Sequence, residues 1–185
     1  MKHTFLAMLY NYSVEDYLMQ FKRGAIKIAS FHRAYTWTKE YALLFADSLL
    51  KNYPISPLGF VQVKNKSDGR YLLCGHQRFL TLMLLYNQVF PNEKGRRQIA
   101  QWYETKPSWD ALLELFEIGE HIEKTNCSFP NQVDGITIPC IVFTKYNNAT
   151  YEEYFAQVKE CFSRPNFSGR LISEKEITAM FMHQS

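Results

Sequence analysis

Apolar residues along this chain fall into two kinds of run, some spaced as one face of a helix and others continuous as in a buried strand. The stretch SVEDYLMQFKRG opens on Ser13 with Asp16 three residues later, a capping-box pattern, and closes on Gly24, which predicts a short helix. AIKIA reads as a strand. Thr38 then caps KEYALLFADSLLKNY, where Ala42, Phe45, Ala46, Leu49, Leu50 and Tyr53 share one helical stripe. PISP breaks the chain before LGFVQVKN, a strand by its β-branched and aromatic content. SDG turns that strand back into RYLLC, a predicted hairpin.

From His76 to Phe90 the chain is apolar on nearly every side, which predicts a central buried helix. PNEKGRRQIAQWYETKP is a loop or irregular insertion, and SWDALLELFEIGEHIEK, started by Ser108, is a further helix. GITIPCIVFT is the best strand after the hairpin and is expected inside the sheet. Thr150 caps YEEYFAQVKECF, with Tyr151, Tyr154, Phe155, Val158 and Phe162 as its stripe; SRPNFSGR is a loop, and Ser173 with Glu176 opens a last helix. The order α, β, α, β, β, α, α, β, α, α points to an α+β domain on a small mixed sheet. Residues 1–185 read as one domain, without repeats or long linkers.

Composition adds the compartment. A chain of 185 residues, 46% hydrophobic and 16% aromatic, has the material for a folded core. No apolar run approaches the ~20 residues that cross a bilayer, and the start lacks a signal peptide's apolar stretch and cleavage site. The expectation is a cytoplasmic protein without a membrane partner. The four cysteines, Cys74, Cys127, Cys140 and Cys161, form no CxxC pair, which argues against a zinc knuckle or disulfide scaffold; no metal site is expected. The formal net charge of +3 is mixed along the chain, densest at Lys94, Arg96 and Arg97. Such a cluster is either a solvated loop or a nucleic-acid contact, and charge alone does not choose.

Candidate chemistry concentrates where RYLLC meets RFLTLMLL through Gly75, His76 and Gln77. A strand-to-helix turn leaves the first helical N–H groups without intrahelical partners and adds partial positive charge. Glycine admits another group close to the backbone. Arg78 adds a permanent cation whose fork suits phosphate oxygens. Together these residues can form an anion site; equally, Gly75 can simply make the turn while Arg78 pairs with a carboxylate. A second constellation, IASFHRAYTW, carries His32, Arg33, Tyr35 and Trp37. Its aromatics are either core residues or a surface on which a base stacks. A third, FSRPNFSGRLISEKEI, carries Asn166, a turn residue or a polar contributor to a site.

Taken in order, the three stretches resemble the N-terminal module of GmrSD-type modification-dependent restriction enzymes, of the ParB/sulfiredoxin superfamily. That family's I-P-x-Y-Q-R-x-Y-x-W stretch corresponds to Ile28, Phe31, His32, Arg33, Tyr35 and Trp37. Its D-G-Q-Q-R corresponds to Cys74, Gly75, His76, Gln77 and Arg78. Its N-x-x-G-x-x-L-s-x-x-E corresponds to Asn166, Gly169, Ser173 and Glu176, with Leu171 one place early. The resemblance spans roughly residues 13–182.

The resemblance implies a ParB-like fold binding a nucleoside triphosphate, with Mg²⁺ as a companion ion. Gly75, His76, Gln77 and Arg78 would cradle the phosphates, Arg33 would face them, and Tyr35 and Asn166 would add contacts. His76 and Arg78 would be the catalytic pair. In the family, hydrolysis by this module regulates DNA cleavage by an HNH-type nuclease domain. No HNH-like cluster occurs here, since His3, His32, His76, His121 and His183 are dispersed, so the expected partners besides nucleotide are DNA, met directly or through a separate HNH-type nuclease subunit. The chain departs from the family at Cys74, in place of an aspartate, and at His76, in place of a glutamine. A thiol does not replace a carboxylate on hard Mg²⁺, so nucleotide binding without hydrolysis is one expectation; His76 instead supplies a titratable group near the phosphates. The alternative function is a ParB-like DNA-binding or partner-binding module using Arg96 and Arg97. Sulfiredoxins place a cysteine two residues before the arginine, whereas Cys74 stands four before Arg78, so a redox role predicts a different geometry.

Overall fold

Local signals in the sequence become the boundaries of most elements. The structure is a computed structural model that describes residues 5–28, 35–62, 69–90, 120–121, 133, 135–145 and 149–163. Strand β1 (Phe5–Ser13) leads directly into helix α1 (Val14–Lys22). Ser13 caps that helix: its hydroxyl accepts from the Asp16 amide at 3.0 Å, and the Asp16 carboxylate accepts from the Ser13 amide at 3.1 Å. Arg23 ends the helix and Gly24 turns the chain with φ +70°. Strand β2 (Ile26–Ile28) follows, then helix α2 (Lys39–Leu50), capped by Thr38. Strands β3 (Leu58–Gln62) and β4 (Arg70–Cys74) pair antiparallel, with a register shift between Gly59 and Phe60. The predicted hairpin is therefore present, with a bulge.

Helix α3 (His76–Tyr86) is buried along nearly all its length, from His76 to Leu85. It ends sooner than the apolar run predicts, because Gln88 takes φ +57° and Val89–Phe90 forms strand β5. That strand pairs antiparallel with β6 (Glu120–His121). A helix over SWDALLELFEIGEHIEK is thus corrected at Glu120 and His121, where the backbone is extended; cross-strand pairing with β5 overrides helical spacing. The rest of that segment, Lys94 to Arg97 and the helix from Ser173 lie outside the described residues. Strand β7 (Thr137–Lys145) and helix α4 (Tyr151–Ser163) complete the order.

The five-stranded sheet runs β1-β7-β3-β4-β2. β1 is antiparallel to β7, β7 parallel to β3, β3 antiparallel to β4, and β4 parallel to β2. The architecture is α+β on a mixed sheet, with β7 internal, as expected. Alternation along the strands sends Ile26, Ile28, Leu58, Phe60, Leu72, Ile138, Cys140 and Val142 into a core shared with α1, α2 and α3. Val61, Leu73 and Phe143 face the opposite way, onto Tyr154 and Val158 of α4. Of the stripe predicted on α2, Ala42, Phe45, Ala46 and Leu49 are buried, whereas Leu50 and Tyr53 are exposed. On α4, Tyr154 and Val158 are buried and Tyr151 is exposed.

Strand β1 was not predicted. Leu6, Met8, Leu9 and Tyr10 are all exposed, so the strand shows none of the in–out alternation by which a half-buried strand is read. Its last turn is anchored by chemistry instead. The Arg70 guanidinium sits 4.9 Å from the Tyr12 ring centroid and 5.2 Å from that of Phe60, and also bonds Gln20. One cation thereby joins β1, β3, β4 and α1.

Candidate functional site at the start of helix α3

The turn between β4 and α3 rests on one residue whose backbone only glycine adopts readily. Gly75 has φ +84° and ψ 15°, the left-handed region, and stands at the N-cap of α3 without a side chain to cap it. Space demands glycine as well. A Cβ there would lie 2.4 Å from Leu58 Cδ2 and 3.1 Å from Arg78 Nη2. The first turn of α3 contains no acidic residue, so nothing on the helix opposes an anion at its positive end.

Arg78 lies beside this turn, folded back over Gly75. Its guanidinium donates from Nη1 to the Ser56 carbonyl and, at 3.5 Å, from Nη2 to the Pro57 carbonyl. The expected competitor for this side chain was a carboxylate; the partners are main-chain oxygens, which leave the positive charge unneutralised. Burial pulls the Arg78 guanidinium below its ordinary value, with Cys74 acting in the other direction. Cys74, at the end of β4, is half-buried, and burial raises its pKa despite Arg78 and a hydrogen bond from the Gly59 amide. A raised thiol is a poor nucleophile at neutral pH, which weighs against a redox role.

His76 and Gln77 are 5% and 8% exposed and face into the domain. The Gln77 Oε1 accepts from the Thr36 amide at 2.9 Å, tying α3 to the segment just before α2. One turn on, the Thr81 hydroxyl donates to the Gln77 carbonyl at 2.7 Å. Its single proton is then used, so the 2.7 Å contact with Tyr35 has the Tyr35 hydroxyl as donor. The Tyr35 ring packs 6.2 Å from Phe90 and is 3% exposed. Gly75, His76, Gln77 and Arg78 thus make the start of α3, whereas Tyr35 meets that helix at its middle, through Thr81, and packs on Phe90 beyond its end. Arg33 and Asn166 lie outside the described residues.

The sequence reading did not find Ser56, Pro57 or Thr81. PISP registered only as a chain break, although its carbonyls hold Arg78. Thr81 carried one legible signal, its place one helical turn after Gln77 in an otherwise apolar run. Among the described residues no three His, Cys, Asp or Glu side chains gather as a metal site, and no helix is long and apolar enough to cross a membrane.

The site is therefore an uncapped, left-handed glycine at a buried helix start, with an arginine folded against it, on a mixed-sheet α+β domain. The chain matches the family model for the GmrSD restriction endonuclease N-terminal domain over residues 14–181. It belongs to that family, and with it to the modules of restriction systems. No curated protein and no solved structure matches it.

Proposed function

We propose that this chain is a nucleoside-triphosphate-binding regulatory module of a restriction and phage-defence system, acting with an HNH-type nuclease on DNA. The observation that supports it is the turn at Gly75. A helix start without a side-chain cap, no acidic residue in its first turn, and an arginine held on neutral carbonyls give positive potential among the described residues. Two of the five guanidinium N–H groups are spent on Ser56 and Pro57; the remainder of the fork is what a phosphate takes.

In this reading the α3 amides and Arg78 hold the phosphates, with Arg33 and Asn166 as further contributors. Gln77 and Tyr35 act as positioning residues, holding the segment after Arg33 against α3. When bound, the triphosphate brings Mg²⁺ as its own counter-ion; Cys74 offers that ion no oxygen ligand. The module accordingly binds nucleotide and signals occupancy to its nuclease partner, and hydrolysis requires a carboxylate from elsewhere.

Calorimetry with ATP, GTP, CTP and UTP tests the proposal. Binding of one of them to the wild type, weakened in Arg78→Ala by about 2–3 kcal/mol, is expected from loss of a charge-assisted fork. Arg78→Lys, which keeps charge but not the fork, should fall between the two. Melting temperatures taken alongside separate lost contacts from lost folding, since Arg78→Ala also releases the Ser56 and Pro57 carbonyls. No binding by the wild type, or equal binding by Arg78→Ala, overturns the reading.

A further inference from the structure

The two edges of the five-stranded sheet are built differently. At one end, β2 is three residues long and carries Lys27 at its centre, the short, charged form that discourages strand addition. At the other end, β1 is nine residues long, FLAMLYNYS, with neither proline nor formal charge. It pairs with β7 in unbroken register from Phe5 to Ser13, without a bulge to twist it away. Six consecutive residues, Leu6 to Asn11, are exposed; Leu6 is 47% exposed and Leu9 68%. Among the described residues, β1 has no proline, charge or bulge that would protect an edge.

We propose that β1 is the docking edge for a second copy of this chain, two β1 strands pairing antiparallel about a two-fold axis to join both sheets. The strand is complementary to itself. With Leu9 on the axis, Leu9 meets Leu9, Met8 meets Tyr10, Leu6 meets Tyr12 and Ala7 meets Asn11. Apolar residues thus meet at the Leu9–Leu9, Met8–Tyr10 and Leu6–Tyr12 positions, Ala7–Asn11 and Phe5–Ser13 set an apolar residue against a polar one, and no pair sets like charges opposite each other. The main-chain groups on the outer side of β1 gain partners in the same step. Nine residues span only about 30 Å of edge, so the interface belongs to the small, transient class and the dimer should dissociate in roughly the micromolar range. This inference does not depend on nucleotide binding, because β7 and β3 stand between β1 and the strand that ends at Gly75.

Sedimentation equilibrium of the full chain under reducing conditions, across about 5–500 µM, reads the association directly. A monomer–dimer equilibrium is expected for the wild type, weakened at least tenfold by Leu9→Lys, which sets two cations face to face. Asn11→Lys sets a cation against Ala7 of the other copy, a milder disturbance that removes no apolar side chain, and circular dichroism confirms that each variant is folded. Leu44→Lys on the outer face of α2, where Leu44 is 61% exposed, should leave association unchanged. A wild type that stays monomeric throughout, dimers that survive both β1 variants, or dimers lost only in Leu44→Lys would each overturn the proposal.

Discussion

Gly75 carries two constraints that no other side chain satisfies together. The left-handed backbone costs a residue with a Cβ about 1–2 kcal/mol, and the 2.4 Å approach of Leu58 Cδ2 adds an overpacking term of similar size. Gly75→Ala should lose on the order of 2–4 kcal/mol, which at this chain length lowers the melting temperature by roughly 5–15 °C. Thermal denaturation followed by circular dichroism measures it, and a shift below 2 °C would mean the turn relaxes. Gly24, also left-handed, has nothing within 4 Å of the position of its missing Cβ; only the backbone term applies there. The residue types at the turn were legible in the sequence, but Leu58 as a neighbour was not. Its approach follows from the β3–β4 pairing, a contact between strands that no local pattern encodes.

At the level of elements, helix α3 is held to the segment before α2 by polar contacts inside an apolar setting. The Tyr35 hydroxyl bonds Thr81, Thr81 bonds the Gln77 carbonyl, and the Gln77 side chain bonds the Thr36 amide. Tyr35→Phe removes one bond without changing ring volume and should cost about 1 kcal/mol. Thr81→Val removes two and takes away the acceptor of a buried phenol, so it should cost more. Urea unfolding of both variants gives the order, and Tyr35→Phe costing more than Thr81→Val would contradict it. The caps of α1, α2 and α4 were readable because Ser13, Thr38 and Thr150 act on amides only three residues away. By contrast, β6 was misread as helix because its partner lies far along the chain.

Over the whole molecule, four buried acids share one direction of shift. Burial raises Cys74 and Cys140 from an ordinary 9.0 and Tyr17 and Tyr154 from 10.0. The phenols sit against carbonyls: Tyr17 donates to Ile138 at 3.1 Å, and Tyr154 to Phe143 at 2.7 Å. The folded state therefore holds these protons more tightly than the unfolded chain. The stabilisation is complete below the unfolded pKa values and is lost as pH rises through them toward the folded values. Arg78, which burial lowers from 12.5, has the opposite sign. Melting temperatures under reducing conditions should be level to about pH 8 and fall steadily beyond about pH 9. A flat profile to about pH 10.5 would show that the unfolded chain shields these groups equally.

What the sequence determined by itself was local: helix starts, the hairpin, the buried character of α3, and the ordered motifs that mark the family. Each depends on residues a few positions apart, where backbone geometry and hydrogen bonding follow from residue type. Tertiary structure alone decided that Arg78 rests on the carbonyls of Ser56 and Pro57, that Gln77 and Tyr35 face inward, and that β1 forms an edge exposed from Leu6 to Asn11. Those outcomes come from strands and helices distant in sequence competing for the same space and the same hydrogen-bonding groups, a competition settled only when the chain is packed.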